Sequence, residues 1–108
     1  MAQQVLHPDT QTFDSLVSGE GVALVDFFAT WCAPCRMLAP VIEQIAEQYD
    51  GRVKVAKVDI DAHPELAARY GVQSIPTVLV FKNGEMVARE VGARPLGTFT
   101  GILDGQLK

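Results

Sequence analysis

The segment from Val22 to Ala29 constrains this chain most, because seven of its eight residues are apolar and the eighth is Asp26. Successive side chains of a strand point to opposite sides. An apolar run without alternation is therefore a strand buried on both faces, at the centre of a sheet covered by helices. The next segment changes period. Met37, Leu38, Val41, Ile42, Ile45 and Tyr49 fall at three- and four-residue steps, so Pro34 to Tyr49 reads as a helix with one apolar stripe. Pro34 suits the first helical turn, where its missing N–H costs nothing. Pro40 lies inside the pattern and should kink the helix, and Gly51 ends it.

The remaining elements follow from the same periodicities. Gln4-Val5-Leu6 reads as a short first strand. Asp9 or Thr10 can cap a helix containing Phe13, Leu16 and Val17, closed by Gly19 and Gly21. Val53 to Ile60 reads as a strand, and Pro64 to Tyr70 as a short helix stopped by Gly71. Pro76 opens a strand over Thr77 to Phe81, and Asn83-Gly84 marks a tight hairpin returning through Glu85 to Val91. Phe99, Ile102, Leu103 and Leu107 give a final helix its apolar face. The order β-α-β-α-β-α-β-β-α defines an α/β fold with a mixed central sheet and helices on both faces. The alternation predicts parallel pairing, with one antiparallel pair from the hairpin.

At 108 residues, with no Pro/Gly/Ser linker and no internal repeat, residues 1–108 read as one domain. Nine Lys and Arg against thirteen Asp and Glu give a net charge of -4, which argues against nucleic acid or an anionic membrane as partner. No apolar run approaches the ~20 residues of a membrane-spanning helix. Met1-Ala2-Gln3-Gln4 lacks the basic start and apolar stretch of a secretion signal, which points to the cytoplasm. No helix carries an obvious second apolar face, so the expected state is a monomer.

Two cysteines are too few for a disulfide-stapled miniprotein. They stand in Trp31-Cys32-Ala33-Pro34-Cys35-Arg36, where the buried strand ends and the long helix begins. Cys-X-X-Cys at such a junction, beside a βαβ pattern, reads as a dithiol redox site. Cys32 falls at the helix N-cap, near unsatisfied N–H groups and the positive end of the dipole, and both stabilise a thiolate. Cys35 lies about one turn on and points further inward. Cys32 is thus the expected nucleophile and Cys35 the resolving thiol. A purely structural bridge would close a four-residue loop worth only about 2 kcal/mol. Zinc needs about four ligands, and His7 and His63 would have to converge on the cysteines to supply them. Inert buried thiols suit a helix N-terminus poorly.

Several segments together resemble the thioredoxin family along essentially the whole chain. They are Val25-Asp26-Phe27, Trp31-Cys32-Ala33-Pro34-Cys35, Ala39-Pro40, Val55-Ala56-Lys57-Val58, Ile75-Pro76-Thr77, Phe81-Lys82-Asn83-Gly84 and Val91-Gly92-Ala93. The sequence departs at two positions: Ala33 stands where the family usually has Gly, and Phe28 where it often has Trp. Ala33 restrains the active-site turn and adds a methyl where partner backbones approach. Arg36 replaces a common Lys and keeps the charge.

Asp26 is the sharpest anomaly, since desolvation raises the pKa of a carboxyl in an apolar strand. By its residues alone it reads equally as a proton-managing base for Cys35 or as a structural carboxylate met by nearby donors. The resemblance implies the base. Lys57 alternates with Val53 and Val55 and can sit beside Asp26; it joins Cys32, Cys35 and Asp26 in the candidate catalytic set, although a surface lysine is the usual alternative. Trp31 reads by itself as core. The resemblance implies instead that it lies at the active-site rim, and that Ile60, Ile75, Val91, Gly92 and Ala93 form an apolar docking surface around Ala33 and Pro34. It also implies a cis peptide before Pro76, facing the dithiol, and an extended substrate peptide pairing with the backbone near Ile75.

The resemblance implies a protein-disulfide reductase and electron carrier that maintains cell redox homeostasis. Its redox group is the Cys32–Cys35 pair, with no bound cofactor. Its electron donor is a flavin-dependent thioredoxin reductase using NADPH, and its substrates are disulfide-containing proteins. No Gly-rich dinucleotide loop occurs in this chain. Two rivals stay open at this level. One is a disulfide oxidase or isomerase on the same fold, which a potential above about -200 mV would favour; Ala33-Pro34 supplies no charge to stabilise the thiolate further. The other is a binding module that clamps partners without turnover.

Overall fold

Asp9 starts the first helix by a reciprocal cap. Its Oδ1 accepts from the Thr12 N–H at 2.8 Å, and its own N–H donates to Thr12 Oγ1 at 2.9 Å. The computed structural model describes residues 5–108. Its elements are α1 (Thr10–Ser18), β1 (Val22–Phe28), α2 (Ala33–Gln48), β2 (Val53–Asp59), α3 (Pro64–Arg69), β3 (Thr77–Lys82), β4 (Glu85–Val91) and α4 (Leu96–Gln106). The sheet order is β2-β1-β3-β4, so β1 is central, as its apolar run requires.

The alternation of side chains along β1 sorts the helices onto two faces. Val22 and Leu24 pack with Val53, Val55, Val78 and Val80 under Leu38, Ile42 and Ile45 of α2 and Phe99 and Leu103 of α4. Ala23, Val25 and Phe27 face the other way, against Phe13 and Val17 of α1 and Leu66 of α3. Asp26 has the parity of Val22 and Leu24, so it points toward the α2 face. Helices cover both faces of a mixed sheet, the thioredoxin fold that the resemblance implies.

Two sequence expectations need correction. β1 pairs parallel with β2, but β3 pairs antiparallel with β1. Helix length explains the difference. The 16 residues of α2 rise about 24 Å, which matches the length of a seven-residue strand and returns the chain to the sheet's starting end. The six residues of α3 rise only about 9 Å, so the chain stays near the end where β2 finished and β3 must run backward. The second correction concerns the first strand. Among the described residues it is one parallel bridge, Leu6 to Ala56, held by Leu6 N–H to Val55 O at 2.9 Å and Lys57 N–H to Leu6 O at 2.8 Å. Pro8 follows two residues on and offers no N–H to extend the ladder. Gln4, the expected first residue of that strand, lies outside the described residues.

The hairpin forms as its turn residues dictate. Asn83 and Gly84 both take positive φ, at 52° and 87°, as a two-residue loop matched to strand twist requires. α2 continues through Pro40, which removes one intrahelical donor on an exposed face.

Candidate active site

The dithiol is built by a strand handing over to a helix. β1 ends at Phe28, and α2 begins at Ala33 with Cys32 as its N-cap. Pro34 sits in the first helical turn, where φ is already set and no donor is lost. The cap side chain is the sulfur itself: Cys32 Sγ accepts the Cys35 N–H at 3.2 Å. The helix therefore offers that sulfur an oriented N–H and the positive end of its dipole. Cys32 and Cys35 are joined as a disulfide, with Cα atoms 5.2 Å apart. Both residues are buried, with relative exposures of 5% for Cys32 and 3% for Cys35.

Around the pair lies an apolar collar of Ala29, Phe28, Ile60 and Ile75. The Cys32 sulfur is 3.8 Å from the Ile75 carbonyl oxygen. The Ile75–Pro76 peptide is cis. Pro76 itself is buried, while Ile75 is half-buried and its backbone groups pair with no other backbone group among the described residues. The Gly92 N–H donates to the Pro76 carbonyl at 2.9 Å, and Thr77 is in register with Val91. Ile75, Pro76, Val91 and Gly92 thus come to one end of the sheet, where the Ile75 carbonyl meets the Cys32 sulfur. Gly92 has φ of 101°, a conformation that a side chain would strain. Ala33, Pro34, Val91 and Ala93 are exposed.

Trp31 is not core. It is 65% exposed, and its Nε1–H donates to Asp61 Oδ2 at 2.8 Å. Asp61 is held in turn, its N–H donating to Asp59 Oδ1 at 2.9 Å. Ile60 lies between them, with its N–H on the Phe28 carbonyl at 2.9 Å. Asp61 is a site residue that sequence reasoning missed. The Asp59-Ile60-Asp61 spacing signals a side-chain-to-backbone turn, but nothing local names Trp31 as its partner.

Asp26 is fully buried, and neither carboxylate oxygen has a hydrogen-bond partner among the described residues. Burial pushes its pKa up to about 7, against a smaller opposing pull from the Lys57 ammonium. Lys57 is directly in register with Asp26 on the neighbouring strand and is half-buried. Phe28, Cys35, Arg36, Ala39 and Lys57 line a cleft of about 250 Å³, which brings the inner cysteine and the lysine to one space. Arg36 Nη1–H donates to the carbonyl of Thr30, which also lines the cleft, at 3.0 Å. Among the described residues no group of three His, Cys, Asp or Glu side chains converges as a metal site, and neither His7 nor His63 joins the cysteines.

A vicinal cysteine pair closed across the first turn of a helix, ringed by apolar surface and a free peptide edge, has the make-up of a thiol–disulfide oxidoreductase. Known proteins supply the family. The thioredoxin family model matches residues 4–104. A thioredoxin of Staphylococcus epidermidis is 50% identical over 95 residues, covering 88% of this chain and 90% of that protein. The solved structure of a mutant thioredoxin from Halobacterium salinarum superposes with a TM-score of 0.90 at 38% identity, covering 100% of this chain and 96% of that one. A thioredoxin structure from Malassezia sympodialis gives 0.89 at 30% identity, covering 98% and 93%. The chain belongs to the thioredoxin family, and it acts in protein-disulfide reduction by thiol–disulfide exchange, with the Cys32–Cys35 pair as its redox group.

Proposed function

We propose that residues 1–108 form one domain in which Cys32 attacks and Cys35 resolves. The observation that carries this assignment is the position of the Cys32 sulfur. It sits at the N-cap under the Cys35 N–H and beside the open Ile75 backbone, where thiolate stabilisation and substrate access coincide. In the reduced protein the Cys32 thiolate attacks one sulfur of a substrate disulfide. That S–S bond breaks, one substrate sulfur leaves as thiolate, and a Cys32–substrate disulfide forms. Cys35 then gives up its proton and attacks the Cys32 sulfur. The second substrate thiolate leaves, and Cys32–Cys35 closes as in the present structure. Two electrons have passed to the substrate.

Asp26 receives the Cys35 proton. A carboxyl whose pKa burial raises to about 7 exchanges protons near neutrality, where a free carboxylate would be too weak a base. Lys57 faces the same cleft as Cys35 and tempers that rise. Substrate lies extended along Ile75 and Pro76, pairing through backbone, with Trp31, Ala33, Pro34, Ile60, Val91, Gly92 and Ala93 as its apolar surroundings. Backbone pairing reads few side chains and suits a reductant of many proteins. Regeneration by a flavin-dependent thioredoxin reductase, with electrons from NADPH, completes a cytoplasmic electron-transport cycle for a monomeric carrier. No helix of the described residues is long and apolar enough to cross a membrane.

Trapping tests the roles. Reduced Cys35→Ser protein incubated with a disulfide-containing protein accumulates a mixed disulfide through Cys32, read by mass spectrometry. Cys32→Ser protein accumulates far less. Greater trapping through Cys35 in the Cys32→Ser variant would reverse the assignment.

A further inference from the structure

Lys57 carries its charge into the active-site cleft without a hydrogen bond or ion pair to hold it there among the described residues. What it does contact is a ring. Its Nζ lies 4.3 Å from the centroid of Phe28, within the range of a cation–π interaction. The register explains the contact. Lys57 pairs with Asp26 and Phe28 pairs with Asp59, so Phe28 is the diagonal neighbour of Lys57 on the same face of the sheet. A lysine stem is long and flexible, and an untethered one carries its ammonium outward to water. Phe28 and Lys57 both line the cleft that Cys35 borders.

We propose that Phe28 is a positioning residue, whose ring face holds the Lys57 ammonium at the cleft so that its charge acts on Asp26. The inference rests on the reading of Asp26 as the proton acceptor for Cys35, and it assigns to Phe28 the control of that acceptor's charge environment. Among the described residues, β2 places Lys57 in register with Asp26, with Asp59 further along; α2 brings Cys35 and Arg36 to the cleft that Lys57 lines, with Arg36 tied to the Thr30 carbonyl. β3 places the apolar Val78 opposite it. Lys57 is therefore the cation best placed to act on Asp26, and what fixes Lys57 sets the strength of that action. The thioredoxin resemblance often places Trp at this position, and a Trp would offer a larger face to a cation.

The experiment uses the oxidised full chain and follows the Asp26 side-chain carboxyl by NMR across pH. Phe28→Leu removes the ring and keeps an apolar side chain. It should raise the Asp26 midpoint by about half a pH unit, on the scale of one exposed cation–π contact. Phe28→Tyr should restore the wild-type midpoint. In a Lys57→Met background Phe28→Leu should produce no further shift, because the two changes act through one contact. The same Phe28→Leu shift with and without Lys57, or no shift in either, would overturn the proposal. A measurement on the unsubstituted protein covers the case in which Phe28→Leu does not fold: Lys57 ε-methylene protons held over a ring face resonate upfield, and unshifted protons contradict the contact. The titration needs no turnover. If the midpoint moves while the rate of mixed-disulfide resolution does not follow it, the positioning stands and the role of Asp26 as proton acceptor fails.

Discussion

Asp26→Ala should make this protein more stable, by an amount that grows with pH. The carboxyl is fully buried, its oxygens have no hydrogen-bond partner among the described residues, and burial moves its pKa from 3.8 to about 7. A carboxyl with a raised pKa binds its proton more tightly in the folded than in the unfolded state. Stability is then greatest below the unfolded value of 3.8 and falls as pH rises toward the folded value near 7, above which the loss is complete. The span is about three pH units, each worth about 1.4 kcal/mol, so the ionised carboxylate costs the fold about 4 kcal/mol. Replacement by Ala also leaves a small void and removes a polar group, but neither effect depends on pH. Comparing urea unfolding of the oxidised wild-type and variant proteins at about pH 4 and about pH 8.5 isolates the ionisation. The stability gain of Asp26→Ala should be about 4 kcal/mol larger at the higher pH. An equal difference at both pH values would show that Asp26 titrates as an ordinary carboxyl, and the buried-acceptor account would fail with it.

Two further outcomes follow from packing and backbone. Tyr49 closes α2 against α4, its hydroxyl donating to Asp104 Oδ1 at 2.7 Å, so Tyr49→Phe should lose about 1–2 kcal/mol in urea unfolding near neutral pH. Burial and that bond raise the Tyr49 pKa from 10.0 to about 12; the protonated phenol is the favoured folded form, so stability should decline across that interval in wild type and decline less in the variant. Gly84→Ala forces a Cβ into a position with φ of 87° and sets it 3.4 Å from the Ser18 carbonyl, which should cost about 1–2 kcal/mol with an unchanged denaturant slope.

Much of this architecture is legible in the residues because each signal is local. The apolar run around Asp26 places β1 at the centre, Asn83-Gly84 specifies the hairpin, and the Cys32 N-cap follows from a strand meeting a helix. The direction of β3 was also available but needed a length and not a pattern. A six-residue α3 cannot span the sheet, whereas simple alternation of strands and helices suggests parallel pairing throughout. Trp31 is harder, because an aromatic beside a buried strand is usually core; what holds it outside is Asp61, thirty positions away in sequence. The Lys57–Phe28 contact is hidden for the same reason. It depends on the register between β1 and β2, which no short stretch of sequence displays. Asp26 sits between these cases. Its burial is visible in the run that surrounds it, while the absence of a hydrogen-bond partner among the described residues is a property of the assembled α2 face.

The central claim is that Cys32 and Cys35 carry electrons to protein disulfides, and insulin tests it directly. With dithiothreitol as donor, catalytic amounts of this protein should reduce insulin disulfides far faster than dithiothreitol alone, and Cys32→Ser should abolish the acceleration. A wild-type rate equal to that of dithiothreitol alone, or one that survives Cys32→Ser, would contradict the account.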